Sequence, residues 1–549
     1  MSWRLTYLIF VLLRLYFTLS PSYIHPDEHF QGPEVIAGEI FGWNTTKTWE
    51  FTSDQPIRSI VPLWLAYGIP MTILRWFQGS DVSPYLVYYC LRIFFFIVSF
   101  SLEDWALQEL GSTQKVRAHY LLCAASSYIT WTFQTHTFSN SVETVVLAWA
   151  LVLIKRISSR NFGHSSHFWS CVMLGVLVSL GVFNRITFPA FLILPCLYLV
   201  PKLLKYPVSI ALISVSAVLT SLIAIYIDTR FYGSPGMVIT PLNNFLYNSD
   251  PDNLAKHGLH PRYTHFLINL PQLLGPYLLF TRPQLSIPFL SALSGTAMLS
   301  LFRHQEARFL LPTIPLYLTT VKFPNALMLH PGRRRMLLGV FGAFNLALAM
   351  LFGVYHQGGV VPTQAAHIGP RLATASDVVW WRTYSPPDWL LGRNSDLVGY
   401  LHRGGVDNAT AAVELVKKAD AGGGVRIWDM MGSDGEVVDA LVAELVRTRA
   451  KSTDKDVLVV APLSASGLYK FLANPELPYY LHLEYSYAQH INMDDFGVDY
   501  EEARYHKRRQ GESESEGEEG LGFWDKARAI AMQNRPGLGV WSVVMRAEA

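Results

Sequence analysis

The stretch Ser22-Tyr23-Ile24-His25-Pro26-Asp27-Glu28-His29-Phe30-Gln31 follows directly on an apolar run that starts near Leu5. The run is long enough to enter a bilayer, so two carboxylates and two imidazoles stand where the chain leaves it. Ionisable groups packed against a span's end point to chemistry at a membrane surface. No small-residue cleavage site follows the run, and the charged stretch begins where cleavage would fall. It therefore reads as a retained signal anchor, with the start of the chain in the cytosol.

Composition extends this reading to the whole chain. Of 549 residues, 50% are hydrophobic and 16% charged, which excludes an ordinary soluble domain. Apolar stretches approaching the ~20 residues of a spanning helix recur near 3–20, 57–78, 83–101, 117–134, 138–157, 167–200, 207–228, 264–281, 286–302, 308–322 and 336–357. The run at 167–200 divides at Asn184 and Arg185. An α-helical polytopic membrane protein of about 10–12 transmembrane helices is predicted. A net charge of +2 offers no basic surface for nucleic acid. Cys90, Cys123, Cys171 and Cys196 sit in apolar sequence without metal-ligand spacing, as buried free thiols do. Asn44 and Asn408 open Asn-x-Thr sequons, which would lie outside the cytosol if the first loop and the tail are both luminal.

Composition changes near residue 358. Residues 1–357 are nearly all span, with a first loop at 21–57; residues 358–549 mix Gly, Pro, charged and short apolar segments. Within them 411–418 and 435–448 show helical spacing, and Asp456–Ala461 (DVLVVA) reads as a buried strand. A small C-terminal α/β extramembrane domain is predicted, on the luminal side. The charge-dense 501–520 segment, EEARYHKRRQGESESEGEEG, reads as disordered.

The polar loops carry the candidate chemistry. Pro26 suits a first helical turn, which would put Asp27 and Glu28 where the helix dipole favours ionised carboxylates. Either could serve as a general base, although the same pair would also solvate a helix end. His25 and His29 are four apart, but Pro26 stands where the zinc-protease pattern needs Glu, so no metal site is expected. Arg58, at a membrane boundary, can pair with Glu50, bind lipid phosphate or only mark topology, the last being the default. Polar runs at 134–144 and at Asn184-Arg185 interrupt the apolar region, for substrate contact or for helix pairing. The loop from 228 to 265 holds Asn243, Asn244, His260 and Arg262, whose amides, aromatics and imidazoles suit a sugar. Between two later spans, Arg303 to Phe309 brings cations able to neutralise a phosphate.

Four segments in order, His25 to Gln31, TWEF at 48–51 with PIRS at 56–59, THTFSNSVET at 135–144 and RHQEARFLLP at 303–312, resemble the family 22 glycosyltransferases. The resemblance implies a GT-C fold in the endoplasmic reticulum membrane, dolichyl phosphate mannose as donor, no further cofactor, and a luminal active site. The run from Asn243 to Pro276 resembles the branch of the family acting on GPI precursors. It implies transfer of a fourth, α1,2-linked mannose onto the third mannose of that glycolipid. Another dolichyl-phosphate-mannose-dependent transfer within the family, of the GPI third mannose or to a lipid-linked N-glycan precursor, is the alternative. Inverting transfer would use Asp27, or else Glu28, as base. His304, Arg308 and Arg185 would stabilise the leaving phosphate, with Glu306 beside them. His25, His29 and Gln31 would orient sugar or base, and Asn243, Asn244, His260 and Arg262 would hold the acceptor. The chain departs from the family pattern at His136, where Arg is usual, and at Gln305, where Lys is usual. No role is carried over to these two. A transporter would also be polytopic, but it would show repeated halves and paired broken helices, and neither is seen.

Overall fold

A computed structural model describes residues 2–546 apart from 80, 160–164, 256–257, 394–396, 404–405, 420–423, 450–454, 466, 469–471, 473–476 and 494–534. The 501–520 segment lies outside the described residues. The first helix, Trp3–Leu19, starts at Ser2, whose hydroxyl accepts the Leu5 N–H, and stops before Pro21. Leu8, Leu12, Tyr16 and Leu19 form an exposed apolar face, while Arg14, Phe17 and Thr18 are buried. An apolar exterior is what a bilayer requires.

Arg92 fixes how the next long helix runs. Its guanidinium is buried and donates to the carbonyls of Phe17 (3.0 Å), Thr18 (3.2 Å) and Ser20 (3.3 Å). These carbonyls end a helix, where the last turn leaves acceptor capacity over even though the Ser20 N–H reaches back to Phe17, so a cation there meets both their lone pairs and the dipole. Farther along, Ser99 and Asp104 meet Arg14. The helix Pro84–Leu110 is therefore antiparallel to the first, and its start lies on the face that carries the first loop.

This orientation corrects the expected span at 57–78. The helix Ile60–Gln78 is long and apolar enough to cross, but its Tyr67 hydroxyl donates to the Thr137 carbonyl and Arg75 donates to the Ile40 carbonyl in the first loop. Five residues, 79–83, then lead to Pro84. They reach at most ~18 Å, too little to recross a core of about 30 Å. The helix lies along the loop-bearing face, with Trp76 82% and Phe77 74% exposed.

Among the described residues five helices are long and apolar enough to span, or six if the pair Tyr128–Thr135 and Ser139–Ser159, bent by 113°, counts as one. Other expected spans are interrupted by proline. Residues 188–205 form short turns around Pro189, Pro195 and Pro201 after the break at Asn184. Residues 265–280 are divided at Pro271 and Pro276, and 307–318 at Pro312 and Pro315. Proline removes a donor and collides with the preceding turn, so hydropathy survives where helix length does not.

The C-terminal part forms a six-stranded sheet in the order β2-β3-β1-β4-β6-β5. The strands are β1 (Ala375–Trp380), β2 (Leu397–Arg403), β3 (Val425–Asp429), β4 (Asp456–Pro462), β5 (Tyr479–Tyr487) and β6 (Leu538–Met545). The first four pair in parallel, and β6 joins β4 and β5 antiparallel. Helices Ala409–Lys418 and Gly435–Arg449 and strand β4 fall where the spacing predicted. The C-terminal part has a buried cluster of its own, with Trp381, Trp428 and Leu441 in it, but the division near 358 does not separate all of the packing. Tyr23, Val35 and Trp43 of the first loop share one buried cluster with Val360, Trp380, Trp389, Leu458 and Leu538.

The helices Ser165–Asn184 and Pro207–Tyr232 approach closely at Gly175, where an added Cβ would overlap the Ile213 carbonyl and the Ser216 hydroxyl. Gly175→Val is expected to destabilise the protein by roughly 1–3 kcal/mol through overpacking. Gly339→Ala, whose Cβ would meet open space, is expected to be neutral. Melting in detergent is the check, and equal shifts for the two would contradict the packing.

Candidate functional site

After Pro21 the chain crosses the face of the bundle and Pro26 starts a single turn, Asp27–Phe30. Successive helical residues point about 100° apart, and this separates the two carboxylates. Asp27 is half-buried at the surface of the loop, whereas Glu28 is 1% exposed. Glu28 turns inward: its Oε1 accepts the Ile24 N–H at 2.7 Å, and Oε2 lies 4.0 Å from Arg92 and 3.9 Å from His136. Ser22 and the Thr132 carbonyl hold His136 in that place.

Asp27 belongs to a row of alternating charge. Its Oδ2 accepts from Arg308 Nη1, and its Oδ1 faces His25 Nδ1 at 3.4 Å. Arg308 also donates through Nε to Glu306, whose other oxygen meets His304 Nε2 at 2.9 Å. His25 Nδ1 receives both the Asp27 N–H (3.2 Å) and Arg308 Nη1 (3.1 Å), which leaves Nε2 to carry the ring proton. Two further arginines border the row. Arg58 is paired with Glu50 at 2.9 Å, and its charge acts on Asp27. Arg185 is paired with Glu143 at 3.2 Å and feels Arg58, Arg308 and Asp27. Arg185 also donates to the Ser139 hydroxyl (3.1 Å), and Asn140 Nδ2 donates to the Arg308 carbonyl (3.1 Å), so the 139–144 helix start holds both arginines.

Electrostatics separates the acids further. Burial opposes ionisation of Asp27, but the Arg308 charge outweighs it and holds the carboxyl well below the usual range. Glu306 behaves likewise, with Arg308 and His304 overcoming its burial. For Glu28 burial wins: Arg92 and the Ile24 N–H offset it only in part, and the carboxyl is pushed up to about 8. Burial and the Arg92 charge pull His29 down to about 3. His304 is drawn down by burial but held above its ordinary value by Glu306.

Of the residues expected from sequence, His25, Asp27, Gln31, Arg185, His304, Glu306 and Arg308 come together. Gln31 donates to Glu50 at 3.4 Å. His29 lies beneath the loop, between Tyr23 and Tyr88 rings, and accepts from Trp389 Nε1 at 3.4 Å. Asn243 and Asn244 donate to the carbonyls of Pro56 (3.0 Å) and Ile57 (3.4 Å), so they hold the segment that carries Arg58. His260 packs beside His304, with ring centroids 6.5 Å apart. Arg262 has an exposed side chain, and its carbonyl accepts from Gln305 at 3.3 Å. Gln305 is buried and ties His265 N–H and the Ser300 and Phe302 carbonyls together.

Sequence reasoning missed Arg58 and Glu50 as site residues and Asp228 as their support. Asp228 accepts from Ser59 Oγ (3.0 Å), the Ile60 N–H (2.9 Å) and Thr240 Oγ1 (2.9 Å). The signal available was the TWEF and PIRS pair, which shares the loop with Asp27. Among the described residues no group of three or more His, Cys, Asp or Glu side chains is arranged to hold a metal ion.

Residues 5–391 match the model of the Alg9-like mannosyltransferase family. GPI mannosyltransferase 4 of Aspergillus oryzae is 41% identical over an alignment covering 90% of this chain and 95% of that one. The protein of the same name from Emericella nidulans is 43% identical, covering 90% and 94%. That from Saccharomyces cerevisiae is 35% identical, covering 89% and 96%. Among solved structures, ArnT from Cupriavidus metallidurans bound to undecaprenyl phosphate superposes with a TM-score of 0.52 at 12% identity, over 87% of this chain and 96% of that one. At that identity the likeness is one of fold.

Between pH 4.5, the ordinary glutamate value, and about 8, unfolding releases a proton that the folded chain keeps on Glu28. Stability from this group is therefore complete below the lower value and is lost as pH rises through the upper one. Glu28→Gln retains an oxygen for the Ile24 N–H and is expected to flatten that slope. Melting temperatures across the window are the check; an unchanged slope would contradict the burial of a neutral acid.

Proposed function

The chain belongs to the Alg9-like mannosyltransferase family, and from that premise we propose that it transfers a fourth, α1,2-linked mannose from dolichyl phosphate mannose to the third mannose of a GPI precursor, with inversion. It is a mannosyltransferase and a multi-pass membrane protein with a GT-C architecture. The names of its relatives support a GPI glycolipid as acceptor and a lipid-linked sugar as donor. In this reading the protein resides in the endoplasmic reticulum membrane with the 22–59 loop in the lumen.

The observation that carries the proposal is one ionised, half-buried carboxylate, Asp27, set among Arg308, Arg58 and Arg185. The acceptor 2-hydroxyl attacks the anomeric carbon from the face opposite the phosphate. Its proton passes to Asp27, the carbon–oxygen bond to the phosphate breaks, and the electron pair leaves on the phosphate. The arginines meet that charge through charge-assisted hydrogen bonds, which are strong where water is excluded. A monophosphate leaving group met by three guanidinium groups needs no divalent cation, so EDTA is expected to leave transfer unchanged.

Arg308 gives the base a donor-dependent strength. With the donor absent it is spent on Asp27 and Glu306, and a carboxylate so stabilised is a weak base. When a phosphate takes part of the guanidinium, Asp27 loses stabilisation and its affinity for a proton rises toward the range useful at neutral pH. Glu28 serves structure here. It is turned away, and it anchors the Ile24 N–H.

A microsomal assay with dolichyl phosphate mannose and a trimannosyl GPI precursor tests the reading. Asp27→Asn is expected to lower transfer by roughly 10²–10⁴-fold, and Glu28→Gln to keep most of it. Near-normal transfer by Asp27→Asn would sink the base assignment; wild-type transfer only to another mannoside would sink the acceptor. In the pH–rate profile Arg308→Gln is expected to move the acid limb up by about one unit or more, since the cation that favours ionised Asp27 is gone.

A further inference from the structure

The six-stranded sheet packs on both of its faces, and the first loop meets one of them. Side chains alternate along a strand. Val378 and Trp380 of β1, with Leu458 and Val460 of β4, join the cluster shared with that loop, while Val379, Val457 and Val459 join a second cluster. Helices Ala409–Lys418 and Gly435–Arg449 pack on this second face through Ala412, Val416 and Leu441. The helix Ala409–Lys418 therefore stands on the side of the sheet turned away from the reaction centre.

Asn408 caps the start of that helix. Its Oδ1 accepts the Ala411 N–H at 2.9 Å, and Asp407 to Thr410 are exposed. Asn408, Ala409 and Thr410 form a sequon, in which modification falls on the amide nitrogen and depends on the hydroxyl two positions on. The cap uses the amide oxygen, which an N-linked residue retains. A glycan at this position extends into solvent and leaves the helix start as it is.

The other sequon is placed differently. Asn44 is half-buried where the first loop meets the segment after β1, next to Trp43, whose ring stacks on Trp389 with centroids 6.3 Å apart. Its backbone N–H donates to the Gly392 carbonyl at 3.3 Å. The Thr46 hydroxyl donates to Asp388 Oδ2 at 2.5 Å, and the Thr46 N–H to Glu34 Oε1 at 3.1 Å. A chain modified at Asn44 would carry a bulky, hydrated group into a seam where both sides bury apolar residues.

We propose that the folded protein carries an N-linked oligosaccharide on Asn408 and none on Asn44. This rests on the reading that places the 22–59 loop in the lumen, since the sheet shares that loop's core and so its side of the membrane. The distribution of cations supports the same side. Arg4 opens the first helix, Arg156 lies in the last turn of Ser139–Ser159, Lys202 and Lys205 precede Pro207–Tyr232, and three arginines at 333–335 open the last long helix. These ends lie away from the loop, and Lys and Arg gather at cytosolic ends. In the modification Nδ2 bonds to the anomeric carbon of an N-acetylglucosamine. That carbon's bond to a lipid diphosphate breaks, the electron pair leaves on the diphosphate, and one Nδ2 proton passes to a base of the transferase that modifies such sequons.

The test follows the gel mobility of the full-length protein, tagged at its C-terminus, in microsomes treated with peptide N-glycosidase. The wild type is expected to shift by one glycan. Asn408→Gln and Thr410→Ala are expected to run where the treated wild type runs, with no response to the enzyme. Thr410→Ala keeps the Asn408 cap, so its loss of the glycan is not a loss of fold. Thr410→Ser and Asn44→Gln keep the full shift. A wild type that does not shift, a shift that persists in Asn408→Gln, or one reduced by Asn44→Gln would overturn the proposal. Protease added to sealed microsomes separates the two ideas: a protected tag without a glycan counts against Asn408 alone, whereas a digested tag overturns the luminal reading and the glycan with it.

Discussion

The contact between Arg308 and Asp27 joins two segments far apart in sequence and sets the charge state of everything near them. A carboxylate removed from bulk water must be neutralised or paired, and Asp27 is paired by a guanidinium that two other groups also claim. Glu306 holds Arg308 from one side and His25 from the other. Broken at any link, the row leaves a half-buried charge without compensation, a loss larger than the net worth of the pair itself. The polar runs that interrupt the apolar region support the same contact. Asn140 fixes the Arg308 carbonyl, and Glu143 fixes Arg185.

Much of this was legible in the sequence because ionisable residues are scarce in an apolar chain and conspicuous where they occur. His25, Asp27, Arg185 and Arg308 were singled out on those grounds, and they converge. The direction in which a side chain points was not legible. Asp27 and Glu28 are adjacent and chemically alike, and only the single turn that holds them sends one to the surface and the other under it. Asn243 and Asn244 have the composition of a sugar site, yet their amides are engaged by the carbonyls of Pro56 and Ile57. Arg58 was open to pairing with Glu50, to binding phosphate or to marking topology; its pair with Glu50 is only eight positions off, but that its charge reaches Asp27 depends on how the loop folds back on itself.

Fold was legible by the same measure. Hydropathy found the apolar segments, but it does not register proline's effect on helix length, nor whether an apolar helix crosses the bilayer or lies along it. Ile60–Gln78 shows the difference. Its composition is that of a span, and its place follows only from the Arg92 contacts that orient the next helix. The division of the chain near 358 was real in composition and only partial in packing, since one cluster belongs to the sheet alone while the sheet and the first loop bury further apolar residues against one another.

That common core has a consequence for how the molecule comes into being. Strand β6, from Leu538 to Met545, lies between β4 and β5, and its Leu538 and Val540 belong to the cluster that supports Tyr23. Synthesis runs from the N-terminal side, so the helix that precedes Tyr23 is made well before the strand that completes the cluster. During synthesis the first loop stands on an unfinished foundation, with apolar residues waiting for partners still inside the ribosome. A nascent chain therefore has its apolar helices made before the first loop has its full support, and a premature stop anywhere before β6 leaves a protein whose shared core is incomplete.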